Sequence, residues 1–123
     1  MRARPPRSLR TVIAIASLAL VSVSNVASAV TVKKFTLQAK KFEWIPASIQ
    51  VKVGQPVELT LISLDVPHGI SSRDLGIPPT TFKKDHPATV AFTPTETGTF
   101  AFKCSKYCGG RHKRMTGQIV VVP

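Results

Sequence analysis

Apolar and polar residues alternate with a period of two, or β-branched and aromatic residues concentrate, in several short runs of this chain. They are VTVKKFTLQ from Val30, SIQVKV from Ser48, PVELTLISL from Pro56, ATVAF from Ala88, GTFAFKC from Gly98 and GQIVVV from Gly117. A period of two sends successive side chains to opposite faces, and β-branched and aromatic residues suit such pleated, half-buried surfaces, so each run is predicted to be a strand. Turn residues separate the runs, in VGQP at 53–56, LGIPP at 75–79, TPTETG at 93–98 and CGG at 108–110. No stretch beyond residue 30 keeps a helical period for long, and the 10 prolines of the chain oppose helices. The pattern predicts an all-β sandwich with antiparallel pairing. Ile49, Val51 and Val53 are expected to face the core from one strand and Val57, Leu59 and Leu61 from the next, with Phe100 and Phe102 turned inward just ahead of Cys104.

One apolar run does not alternate. TVIAIASLALVSV, from Thr11 to Val23, follows Arg2, Arg4, Arg7 and Arg10 and precedes the small triplet Ala27-Ser28-Ala29, which together read as a secretory signal with its cleavage site. The run falls short of the ~20 residues a spanning helix needs. Residues 1–29 are therefore expected to be a signal peptide and residues 30–123 a single domain with one core, exported to the periplasm or beyond, with no stable membrane span after cleavage. No cysteine lies near the cleavage site to take a lipid anchor.

Charge narrows the partners. The chain has 17 Lys and Arg against 6 Asp and Glu, a formal charge of +11. Losing the leader removes four arginines and no acid, so the domain stays strongly basic, which favours anionic partners. Nucleic acid is a poor candidate, because the chain is expected outside the cell and its one dense basic cluster lies within the candidate metal loop instead of alternating with stacking aromatics.

That cluster coincides with the chemistry. CSKYCGGRHKRM, from Cys104 to Met115, gathers both cysteines of the chain, one of its three histidines and its single methionine beyond the initiator. The spacing is C-x-x-x-C-x-x-x-H-x-x-M, filled by Cys104, Cys108, His112 and Met115. Thiolate and thioether ligands beside imidazole select copper; zinc rarely recruits methionine, and iron–sulfur clusters want more cysteines. His68, in LDVPHGI, sits at the end of the predicted strand PVELTLISL, and a sandwich can bring that strand end to the loop, so it is taken as a further ligand. His86, in KKDHPATV, has no such setting and is read as surface; Phe42 and Trp44 are read as core aromatics.

Two other readings of the same residues stay open. Exported proteins with an even cysteine count ordinarily pair them, although a bridge across a four-residue step constrains little of the chain and leaves His112 and Met115 unexplained. Alternatively Cys108, His112, Met115 and His68 hold one copper and Cys104 is idle, an exposed thiol that an oxidising compartment would attack.

DVPHGI, DLGI and FTPTETGTFAFKCSKYCGGRHKRMTGQIVVV resemble the CuA-type cupredoxin domain of cytochrome c oxidase subunit II and the related domain of nitrous oxide reductase, over about Phe42 to Val122. The resemblance implies a Greek-key β-sandwich of the cupredoxin type and a dinuclear, CuA-like copper centre. In that centre Cys104 and Cys108 bridge two coppers, His68 and His112 each bind one, Met115 is a weak ligand to one copper and the backbone carbonyl of Lys106 to the other. Family members usually carry glutamate where this chain has Lys106; since the carbonyl is the ligand, coordination is expected to survive the change. Subunit II also carries a transmembrane hairpin and an acidic, aromatic-rich docking stretch that this sequence lacks. The expected function is one-electron transfer without bond chemistry of its own. Its partner would be a redox protein presenting an acidic face to Lys103, Lys106, Arg111, Lys113 and Arg114. The alternatives are a copper chaperone or buffer serving an oxidase, a mononuclear blue-copper carrier, and a detached accessory subunit of a terminal oxidase or nitrous oxide reductase.

Overall fold

The computed structural model describes Ala3, residues 13–24 and residues 31–123. Residues 13–24 carry no regular secondary structure and are exposed, and no described helix is long and apolar enough to cross a membrane. The leader arginines Arg2, Arg4, Arg7 and Arg10 and the triplet Ala27-Ser28-Ala29 lie outside the described residues.

Nine strands follow: β1 Lys33–Lys40, β2 Glu43–Ile45, β3 Ser48–Lys52, β4 Val57–Ser63, β5 His68–Ser72, β6 Ile77–Phe82, β7 Ala88–Phe92, β8 Gly98–Lys103 and β9 Thr116–Val122, with one 3-10 turn at His112–Arg114. They form a four-stranded sheet in the order β2-β1-β4-β7 and a five-stranded sheet in the order β3-β9-β8-β5-β6. Leu37, Val57, Leu59, Leu61, Val90 and Phe92 line the inner face of the first sheet, and Ile49, Val51, Ile70, Phe82, Phe102, Ile119 and Val121 that of the second; all are buried. Burying each such side chain contributes about 1.5–3 kcal/mol, which is why the alternating runs become strands.

The expected pairing is corrected in three respects. β1 pairs with β4 in parallel, and β3 with β9 in parallel. The strands carrying Ile49 and Val57 are not neighbours but lie in opposite sheets, because the chain crosses from one sheet to the other between β3 and β4. Val53 is 37% exposed, since β3 ends at Lys52 and the chain turns there, with Gly54 at φ +78°. Phe102 is fully inside, whereas Phe100 is half-buried.

β5 and β6 arise where no alternation announced them. All five residues of β5 are buried, the polar His68, Ser71 and Ser72 included, one face covered by the core and the other by the segment after β8, so no wet face marks it. β6 takes up Pro78 and Pro79, which were expected in a turn. It lies at a sheet edge, where a residue without an N–H breaks no ladder. One irregularity prepares the site: β8 pairs with β9 along its whole length, whereas its ladder with β5 has the single pair Ser71–Lys103 and is continued beyond it by the segment after β8, through the Ser105 N–H to Gly69 carbonyl bond.

Candidate metal centre

His68 is the first residue of β5, not the last of β4, and its ring is fully buried. The tight turn from Ser63 to His68 sets it. Ser63 Oγ donates to the Val66 carbonyl at 2.5 Å, Asp65 Oδ1 accepts the Val66 N–H at 2.6 Å, and Asp65 Oδ2 accepts the Lys41 N–H at 2.7 Å. The same carboxylate reaches the ring, with His68 Nε2 2.7 Å from Asp65 Oδ1. A proton held on Nε2 by that contact leaves the lone pair on Nδ1 free for another use. Burial works against the Asp65 carboxylate, but the Lys41 amide, the His68 ring and the Val66 amide outweigh it and hold its pKa below the ordinary value.

The loop from Cys104 to Met115 is closed by its own backbone and by three neighbours. Cys104 N–H donates to the Met115 carbonyl at 3.0 Å, and Trp44 Nε1–H donates to that same carbonyl at 3.3 Å. Ser105 stitches the loop onto β5, its N–H to the Gly69 carbonyl at 3.2 Å and its Oγ to the Ile70 carbonyl at 3.2 Å. Gly109 turns the chain at φ +141° with the Phe42 ring against it, so that a side chain there would be both strained and obstructed. Beneath the loop, Trp44 packs edge-on to Phe102 with ring centroids 5.1 Å apart.

This frame brings the predicted residues together. His68 Nδ1 lies 3.9 Å from Cys104 Sγ, the two sulfurs are 3.7 Å apart, and His112 Nδ1 is 3.7 Å from Cys108 Sγ. Met115 Sδ stands 3.8 Å from Cys108 Sγ, and the Lys106 carbonyl oxygen 3.1 Å from Cys104 Sγ. His68, Cys104 and Cys108 place their donor atoms within 4.8 Å of one another, and His112 adjoins that group through Cys108. His86 is exposed, away from it.

The donor set fits a soft metal. The cysteines are free thiols, and their separation far exceeds the ~2.05 Å of a disulfide yet lets both reach one ion. Cys104, Cys108, Met115 and His68 are all buried, so water is kept from the donors, while His112 is partly exposed. Burial first, then the neighbouring Cys104 thiol and the Asp65 charge, push the Cys108 thiol up to about 11. Around the rim, Lys41, Lys103, Lys106, Arg111, Lys113 and Arg114 are exposed, as is Tyr107, whose ring lies 5.6 Å from that of His112. Among the described residues the ion pairs are Lys40–Glu43 and Asp65–His68, so none of these rim cations is neutralised.

Four contributors escaped the sequence reading: Asp65, Gly69, Ser105 and Trp44. Only Asp65 left a usable signal, a carboxylate three residues before a candidate ligand histidine.

The chain belongs to the cupredoxin-like domain family, whose model matches residues 11–121. This agrees with the family resemblance of the ligand loop. No curated protein sequence matches it. Among solved structures, it superposes on a chain of a heme-copper terminal oxidase dimer with a TM-score of 0.65 at 22% identity, over 73% of this chain and 65% of that one. It thus spans just under two thirds of the oxidase chain. The periplasmic domain of cytochrome oxidase subunit II from Bradyrhizobium japonicum gives a TM-score of 0.67 at 18% identity, over 73% of this chain and 83% of that one. The metal-binding domain of the Cu(I)-exporting P-type ATPase of Streptococcus pneumoniae, solved with Cu(I), gives 0.62 at 28% identity, over 75% and 87%.

Proposed function

We propose that this chain is an exported copper protein that passes single electrons through a dinuclear, CuA-like centre. The observation that carries this reading is the doubled donor arrangement: two buried thiol sulfurs 3.7 Å apart, one abutted by His68 and the other by His112. One ion needs a single thiolate, whereas the second cysteine here is as buried as the first and faces the same space. When bound, a copper pair supplies a one-electron couple. Cys104 and Cys108 would bridge it, His68 and His112 would each hold one side, and Met115 and the Lys106 carbonyl would be weak ligands. Asp65 fixes the His68 ring, and the Trp44 and Cys104 N–H groups pin Met115, so the donors are set before the metal arrives and little need reorganise on transfer. Export is supported by the leader pattern and by the periplasmic setting of the Bradyrhizobium domain.

The test is the EPR spectrum and metal content of the copper-loaded domain. Two coppers per chain with hyperfine structure from two equivalent nuclei are expected; one copper with single-nucleus hyperfine structure would leave the mononuclear carrier instead. A second reading, copper delivery, is favoured by the likeness to the Streptococcus Cu(I)-bound domain. It predicts rapid surrender of copper to an apo acceptor, where a carrier holds its copper and cycles reversibly.

Loading must also expel protons. A Cys108 thiol raised to about 11 is protonated at neutral pH, and the metal takes the thiolate. Copper uptake should therefore release acid, and apparent affinity should rise with pH between 6 and 8 by about tenfold per unit for each proton displaced. Titration in weak buffer against an indicator dye measures this, and uptake without proton release would exclude Cys108 as a ligand.

The rim cations point to an anionic redox partner. They should stabilise the reduced centre, raising its potential, and steer the partner to the exposed His112 edge. Electron transfer should slow as the Debye length shortens from ~30 Å at 0.01 M salt to ~10 Å at 0.1 M. In the Arg111→Glu, Arg114→Glu double variant the potential should fall and the salt dependence weaken; an unchanged potential with an unchanged salt slope would make the rim a merely solvated surface.

A further inference from the structure

A cleft lies beside the ligand loop, over β5, β6 and the end of β8. A cavity of about 550 Å³, lined by Ser71, Pro79, Lys103, Cys104, Ser105, His112 and Lys113, adjoins a second of about 430 Å³ that shares Ser71, Pro79 and Lys103 and continues to Ser72, Arg73, Ile77 and Pro78. It lies over the join of β5 and β8, whose paired residues Ser71 and Lys103 line both cavities. Carbonyls of the two strands are covered by serines, Ser72 Oγ donating to Ala101 O at 2.9 Å and Ser105 Oγ to Ile70 O at 3.2 Å. With the Ser105 N–H to Gly69 carbonyl bond at 3.2 Å, these contacts hold the floor of the cleft closed.

The lining has one sign of charge. Arg73, Lys103 and Lys113 follow one another along the cleft, and among the described residues no acidic side chain lines it and no ion pair reaches any of the three. The hydroxyl-bearing Ser71 and Ser105 lie between them, and Pro78 and Pro79 make one wall that offers no N–H. An occupant must bring carboxylates to the three cations and apolar backbone or short side chains to the prolines.

We propose that the cleft seats an extended acidic segment of the redox partner, laid from Arg73 past Lys103 to Lys113, which delivers the partner's surface to His112. This deepens the partner reading above and rests on it. Charge complementarity commits the occupant: three unneutralised cations on a narrow path suit several carboxylates on one chain better than a single small anion. The seat is built from the chain's own strands, so it does not depend on the number of coppers bound.

Amide NMR of the copper(I)-loaded domain, titrated with acetylated tetraglutamate at low salt, tests this. Saturable shifts should be confined to the amides of Ser71, Ser72, Arg73, Lys103, Ser105, His112 and Lys113. Arg73→Glu, Lys103→Glu should weaken binding at least about tenfold, as expected for loss of one charge-assisted contact. Lys33→Glu, Lys52→Glu, at the far end of the sandwich, should leave it unchanged. Copper content and the EPR spectrum should be the same in all three proteins, so failure of the cleft is separable from failure of the electron-transfer reading. Equal shifts from free glutamate would mean a single-carboxylate site, shifts spread to Lys33 and Lys52 would mean general attraction to a basic protein, and no shift would mean no seat; each overturns the proposal.

Discussion

Cys108→Ser should abolish the two-copper signal and leave less than one tightly held copper per chain, whereas Cys104→Ser should abolish the same signal but keep one. The asymmetry follows from which donors each sulfur touches. Cys108 Sγ is the hub, within 3.7 Å of both Cys104 Sγ and His112 Nδ1 and 3.8 Å from Met115 Sδ. Its loss strands the imidazole and the thioether at once, leaving Cys104 with His68 and a carbonyl oxygen. Loss of Cys104 instead leaves thiolate, imidazole and thioether grouped around Cys108, a set that suits one copper. A serine hydroxyl stays protonated at neutral pH and is a hard donor, so it replaces neither thiolate as a bridge. Copper analysis and EPR on both variants, with thermal midpoints as a fold control, read the difference. Two coppers retained in either variant would end the bridging assignment.

The site was more legible than the sheets because most of it is local. Cys104, Lys106, Cys108, His112 and Met115 come from one loop, so spacing alone groups them. His68 was brought to the loop by the right physical idea and the wrong strand: it opens β5 rather than closing β4. Alternation reveals a strand with one wet face, which is why β1, β3, β4, β7, β8 and β9 were foreseen. It cannot reveal β5, buried on both faces, and it gives a residue's face without naming the neighbouring strand. Hence Ile49 and Val57 were rightly placed inside and wrongly placed side by side. Trp44 and Met115 are 71 positions apart, and no local pattern connects an indole N–H to a carbonyl at that distance. The three-residue β2 that carries Trp44 is too short for periodicity to register.

Gly69 shows how much of the centre depends on such a long-range fit. It has no side chain because the ligand loop lies directly on it. A Cβ at this position would collide with Ser105 Oγ and come within 3.0 Å of the Lys106 backbone nitrogen and 3.1 Å of Lys106 Cβ. Its φ is not in the left-handed region, so space rather than backbone strain dictates the glycine. Gly69→Val should push the Ser105–Lys106 segment off β5, break the two hydrogen bonds from Ser105 and carry the Lys106 carbonyl away from Cys104. Overpacking of this kind costs about 1–3 kcal/mol, and each kcal/mol lowers the melting midpoint of a domain this size by roughly 4–8 °C. The copper signal should suffer more than the fold, because β5 keeps its pairing with β6 while the loop loses its seat. Gly69→Ala should show a smaller effect in the same direction, since the Ser105 side chain can turn aside but the Lys106 backbone nitrogen cannot. Gly110→Ala, where an added Cβ meets nothing within 4 Å, should change neither property. A Gly69→Val protein with the parent's EPR spectrum and melting midpoint would mean that the loop finds the same donor geometry without resting on β5, and that the order of the centre comes from the metal rather than from the strands beneath it.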